Sequence, residues 1–136
     1  MTRLIGLTLG LVVLLMAAVV ALNRLDEEVA PPAATPVDAS HSKRGEYLAR
    51  VGHCAGCHSA RGGAEYAGGS AILTPFGTVF SANLTPDAET GLGRWTATDF
   101  WRALHNGRSA DGRLLAPACP YPNFSQVTRD DVAELF

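Results

Sequence analysis

Cys54-Ala55-Gly56-Cys57-His58 reads C-x-x-C-H, the spacing at which haem c is attached to a protein. Two thiols three residues apart on a short helical turn reach the two vinyl groups on one porphyrin edge. The histidine directly after them places its imidazole under the iron. Ala55 and Gly56 are small enough for a flat ring to lie close to the backbone. Other readings fit less well. A thioredoxin-type C-x-x-C needs a strand before it and a helix after, whereas here a helix-like stretch precedes and a glycine-rich one follows. A zinc site wants a second Cys/His pair, and the sequence offers none. A disulfide between Cys54 and Cys57 would leave His58 idle. The expectation is one covalent haem c, bound through Cys54 and Cys57, with His58 as proximal iron ligand.

The flanks agree with this reading. Ser42 is placed to cap a helix in which Tyr47, Leu48 and Val51 recur on one face and which leads into the motif. Residues 59–94 hold seven of the 14 glycines, so this region reads as loop around a haem edge. Thr96 and Asp99 form a capping box with Asp for the usual Glu or Gln. Phe100, Trp101 and Leu104 supply the apolar positions of that helix, and Gly107 ends it. Thr128 and Asp131 open a third helix containing Val132, Leu135 and Phe136.

The chain has 136 residues, 47% apolar and 18% charged. Much of the apolar fraction lies in Leu4–Leu22, 19 residues without a charge, which is the length of a membrane-crossing helix. Arg3 before it places the N-terminus in the cytoplasm and exports the rest. A cleaved signal peptide is the competing reading. The run is long and lacks a small-x-small cleavage site, which favours an uncleaved anchor. The expected organisation is an anchor or signal sequence at 1–22, a Pro/Ala-rich linker at 23–40 and one domain at 41–136. Residues 41–136 carry nine Lys/Arg and nine Asp/Glu. That neutrality argues against nucleic-acid binding, which needs phosphates neutralised.

The sequence resembles class I c-type cytochromes, and most closely the cytochrome c domains of bacterial membrane-bound dehydrogenases. The resemblance is carried by Arg44-Gly45-Glu46-Tyr47-Leu48-Ala49, the haem motif, Ala67-Gly68-Gly69, Thr74-Pro75-Phe76-Gly77-Thr78 and Asn83-Leu84-Thr85-Pro86-Asp87. It continues through Gly91-Leu92-Gly93-Arg94-Trp95, Asp111-Gly112-Arg113 and Pro117-Ala118-Cys119-Pro120-Tyr121, covering about residues 43–136. It implies an all-α small cytochrome c fold: about three helices and long Gly-rich loops around a haem, preceded by one transmembrane helix. It implies an electron carrier rather than an enzyme, facing the periplasm from the cytoplasmic membrane. Such a domain relays electrons between redox partner proteins: a dehydrogenase subunit, a quinol-side complex or an oxidase. It also implies that Asn83, Thr85, Trp95 and Tyr121 lie in the haem environment.

Two departures stand out. The family's distal ligand is a Met in the Pro-Ala-Met-Pro-Tyr loop, and here that position is Cys119. The only methionines are Met1 and Met16, both in the N-terminal segment. Cys119 is therefore the candidate distal ligand, and a thiolate there favours Fe(III) and lowers the potential. The alternatives are an inert Cys119, an intermolecular disulfide, or His105 or His41 on the iron. The second departure is that the chain stops where the family's C-terminal helix has just begun, so that helix reads as truncated. A thiolate-bound or open iron would also suit a sensor or a sulfur or small-ligand catalyst. A piece of a multi-haem subunit is a further alternative.

Overall fold

The computed structural model describes residues 2–25, 39–118 and 121–136. The chain divides into two units, Met1–Ala30 and Pro31–Phe136. Among its described residues the first holds one helix, α1, Thr2–Leu25. Its stretch Leu4–Leu22 is long and apolar enough to cross a membrane.

Among its described residues the second unit contains four α-helices, one 3₁₀ turn and one hairpin. α2 spans Ala39–Val51 and α3 spans Cys54–His58. The strands β1, Ala71–Thr74, and β2, Gly77–Phe80, follow. Then come α4, Ala97–Asn106, a 3₁₀ turn at Tyr121–Phe124, and α5, Arg129–Leu135. Helices dominate, but a strictly all-α description misses the hairpin, in which Ala71 pairs with Phe80 and Thr74 with Gly77. Pro75 and Phe76 form its two-residue turn. The Thr74 hydroxyl donates to the Gly77 carbonyl (2.7 Å) and accepts the Phe76 N–H (3.2 Å).

The helix ends follow local chemistry. Thr96 accepts the Asp99 N–H (3.2 Å) and the Asp99 carboxylate accepts the Thr96 N–H (2.9 Å), completing the capping box. Gly107 closes α4 in the left-handed conformation at φ 62°. Thr128 caps α5 by accepting the Asp131 N–H (3.2 Å). Ser42 is not a cap: α2 already begins at Ala39, which puts Ser42 in its interior.

α2 packs chiefly against α5. The crossing is set by Gly45, which is buried and where any Cβ would overlap the Glu134 carbonyl. The buried side of α2 is therefore Gly45, Leu48 and Ala49. Tyr47 and Val51, expected on that side, are instead exposed at 65% and 66%. An ion pair between Arg44 and Asp131 closes the same crossing. Despite its seven residues, α5 supplies Val132, the one hydrophobic side chain wholly buried among the described residues.

Candidate functional site

α2 does not run smoothly into the C-x-x-C-H segment. It breaks at Gly52 and His53, with His53 in the left-handed region at φ 55°. α3 then restarts as a single turn that sets Cys54, Cys57 and His58 side by side. Gly56 admits the His53 imidazole, which a Cβ at 56 would overlap. Cys54 and Cys57 are half-buried and not joined to each other. Burial pushes the Cys54 thiol up, with a smaller push from Cys57 and an opposing backbone hydrogen bond. A redox-active C-x-x-C needs the reverse, a thiolate favoured by its surroundings.

The His58 ring is fixed from the far side of the glycine-rich region. Nδ1–H donates to the Ala82 carbonyl at 2.8 Å, from 24 residues away. With the proton on Nδ1, Nε2 keeps its lone pair for a metal, and the bond holds the ring's orientation. The Ala82 carbonyl is itself held by backbone pairing. Gly68 donates to the His58 carbonyl (2.7 Å), Ala60 to Gly68 (3.1 Å), and Gly69 to Ser81 (2.9 Å). The β1–β2 hairpin turns the chain back so that Ser81 and Ala82 meet Gly68 and Gly69. Gly68 has φ +74°, and a Cβ there would lie 2.6 Å from Ala82 and Ser81 backbone atoms. Only glycine fits.

A cleft of about 450 Å³ reaches Cys54, within the range of roughly 300–1,000 Å³ usual for ligand pockets. Its apolar wall includes Tyr66, Leu84, Leu92, Phe100, Leu135 and Phe136. Paired thiols, a histidine with Nε2 available and an apolar cleft beside the first thiol together fit a covalently held haem. Cys54 and Cys57 would hold its edge, and His58 would bind its iron.

The other expected site residues divide. Thr85 lies on the cleft wall. The Asn83 Oδ1 accepts the Thr85 N–H (2.8 Å) and hydroxyl (2.7 Å), and its amide donates to Thr90 (2.9 Å). These groups shape the 83–95 turn. The Asp87 carboxylate caps the same turn by accepting from Thr90 and Glu89, which holds it below the usual carboxylate range. Trp95 is half-buried, donates its N–H to the Leu92 carbonyl (2.8 Å), and stands outside the cleft lining. Cys119 lies outside the described residues, as do the side chains of Tyr121 and His41. His105 has both ring nitrogens facing carbonyls, Nδ1 that of Trp101 (3.1 Å) and Nε2 that of Val127 (2.9 Å), so neither is available to iron. Its ring stacks on Trp101, with Arg129 also over the Trp101 ring. Sequence reasoning missed Tyr66, on the cleft wall at φ 62°, and Ala82. Nothing in a local pattern marks a carbonyl as the partner of a histidine 24 residues earlier.

No protein-family model matches the chain. Among curated proteins it is similar to the gluconate 2-dehydrogenase cytochrome c subunit of Pantoea cypripedii, 47% identical over 94 residues, covering 69% of this chain and 21% of that one. It is 39% identical over 124 residues to the fructose dehydrogenase cytochrome subunit of Gluconobacter japonicus, covering 89% of this chain and 26% of that one. A diheme cytochrome c-type protein of Cereibacter sphaeroides is 33% identical over 135 residues, covering 96% of this chain and 46% of that one. The chain thus spans about a fifth to a quarter of the length of the two dehydrogenase subunits and under half of the diheme protein.

Proposed function

We propose, from the premise that this chain's homologues are cytochrome c subunits of bacterial dehydrogenases, that it is itself a membrane-anchored, mono-haem c-type cytochrome. Those homologues are electron carriers rather than catalysts. This chain would pass electrons from a dehydrogenase or quinone-side donor to a respiratory acceptor, on the periplasmic face of the membrane. The observation that carries the reading is His58. Its Nδ1 is committed to the Ala82 carbonyl, which leaves Nε2 for a metal on the same helical turn as two unbridged thiols, the first of which, Cys54, lines an apolar cleft. The chain contains one C-x-x-C-H, so one haem is proposed for these 136 residues. When bound, haem c supplies one-electron exchange between Fe(III) and Fe(II). The protein's part is to fix the porphyrin edge at Cys54 and Cys57, orient the proximal imidazole, and keep water from one face with Leu84, Leu92 and Phe100. Thr85, on the turn that Asn83 shapes, would border the ring, and Tyr121 is proposed beside it. Leu4–Leu22 would anchor the domain.

Cys119 is proposed as the distal ligand. A thiolate stabilises Fe(III), so the potential should lie well below that of a His/Met cytochrome. Purified protein, denatured and washed with acid-acetone, is expected to retain its porphyrin, and porphyrin-free protein would remove the assignment. The ferric optical and EPR spectra of the intact protein report spin state and axial ligands together. Cys119→Met is expected to raise the potential and change the ferric spectrum. If both stay the same, Cys119 is not on the iron.

A further inference from the structure

The β1–β2 hairpin carries apolar side chains that the domain leaves uncovered. Phe76 is 99% exposed and Leu73 85%. Ile72 and Val79, paired across the strands, lie on the more buried face, while Ala71, Leu73, Thr78 and Phe80 lie on the outer one. The twenty residues 67–86 contain no Lys, Arg, Asp or Glu. The turn satisfies its own polar groups: Pro75 has no N–H, the Phe76 N–H is accepted by the Thr74 hydroxyl, and that hydroxyl donates to the Gly77 carbonyl.

We propose that the tip of this hairpin, Leu73 and Phe76, inserts into the interfacial layer of the lipid bilayer that anchors α1. The proposal rests on reading α1 as an anchor. Thirteen residues, 26–38, separate α1 from α2, and extended they span up to about 45 Å. A domain of about 100 residues has a radius of gyration of about 13 Å, so this tether lets any of its faces touch the membrane. Tethering also raises the effective concentration of lipid around the domain, so shallow insertion by two side chains is enough to hold it. The chemistry of the tip matches that layer. Phe and Leu side chains bury shallowly at the headgroup–acyl boundary, no charge has to be dehydrated, and the Phe76 N–H and Gly77 carbonyl at the turn are already paired. A protein partner ordinarily needs about 800 Å² of matched surface on each side. A narrow apolar strip of Leu73, Phe76 and Phe80 on one hairpin suits a fluid phase better than a fixed partner surface.

The test replaces Phe76 with the photo-crosslinking residue p-benzoylphenylalanine in the full, haem-loaded chain, irradiated in native membranes. Glu89, on an exposed charged turn, takes the same substitution as reference. Lipid adducts at 76, several-fold above those at 89 by mass spectrometry, are expected. Adducts at 76 to another protein or to a second copy of this chain would overturn the proposal, as would lipid labelling equal at the two positions. Carbonate washing separates the two readings. Release of the chain from the membrane removes the anchor and the proposal with it, whereas retention without lipid labelling at 76 removes the proposal alone.

Discussion

Gly68 does three things with one backbone unit. Its N–H holds the His58 carbonyl, its carbonyl receives the Ala60 N–H, and its missing side chain lets the Ser81-Ala82 backbone close in. The Ala82 carbonyl in turn fixes the His58 ring. Gly68→Ala should therefore act twice. A non-glycine residue at φ +74° costs about 1–3 kcal/mol, and its Cβ pushes Ala82 away. The expected outcome is a lower urea midpoint together with an altered ferric spectrum, because the proximal imidazole loses its orienting partner. A lower midpoint with an unchanged spectrum would show that Gly68 serves the loop alone. The two thiols and His58 were legible in the sequence because their chemistry is set by a spacing of five residues. The carbonyl that orients His58 was not, because its position depends on how the intervening glycine-rich chain closes.

Among the elements, the helix caps were readable for the same local reason: Thr96 with Asp99, Gly107, and Thr128 with Asp131 each act within four residues. The inward face of α2 was not. Apolar periodicity points to Tyr47 and Val51, but the α2–α5 crossing closes at Gly45, and a helix turns its glycine, not its largest side chains, toward such a crossing. The hairpin escaped because Pro75 and the surrounding glycines read as loop, although Ile72 and Val79 are β-branched. At the α2–α5 crossing, the Asp131 carboxyl is held below its ordinary range, first by the hydrogen bond from Arg44, then by that from Thr128. The Arg44 guanidinium is correspondingly raised, chiefly by its bond to Asp131. A depressed carboxylate contributes stability that is complete above its unfolded value, about 3.9. That contribution is lost as pH falls through the lower folded value. Asp131→Asn should therefore be less stable than wild type near neutrality, and the gap should narrow in acid. Urea midpoints at pH 7 and pH 3 measure both. An equal gap at the two pH values would show that the carboxylate charge plays no part in joining the helices.

For the molecule as a whole, the main question is what holds so thin a core together. Val132 is the one hydrophobic residue wholly buried among those described, while Leu84, Leu92, Phe100 and Leu135 are half-buried and line an open cleft. Apolar burial stabilises a fold by roughly 25 cal/mol per Å². A large flat apolar ring fixed at Cys54 would cover these side chains from one direction, so the prosthetic group is expected to form part of the core as well as the site. Replacing Cys54 and Cys57 together by Ser removes both points of attachment and leaves the helix caps and the Arg44–Asp131 pair untouched. The local signals that start α4 and α5 survive, so helical far-UV circular dichroism should persist. The cleft lining then meets water, so the melt should broaden and move to lower temperature, and a hydrophobic dye should bind. A sharp melt at the wild-type temperature would mean that the α2–α5 crossing at Gly45, with Val132 beneath it, holds the domain unaided. The ring would then be cargo, not structure.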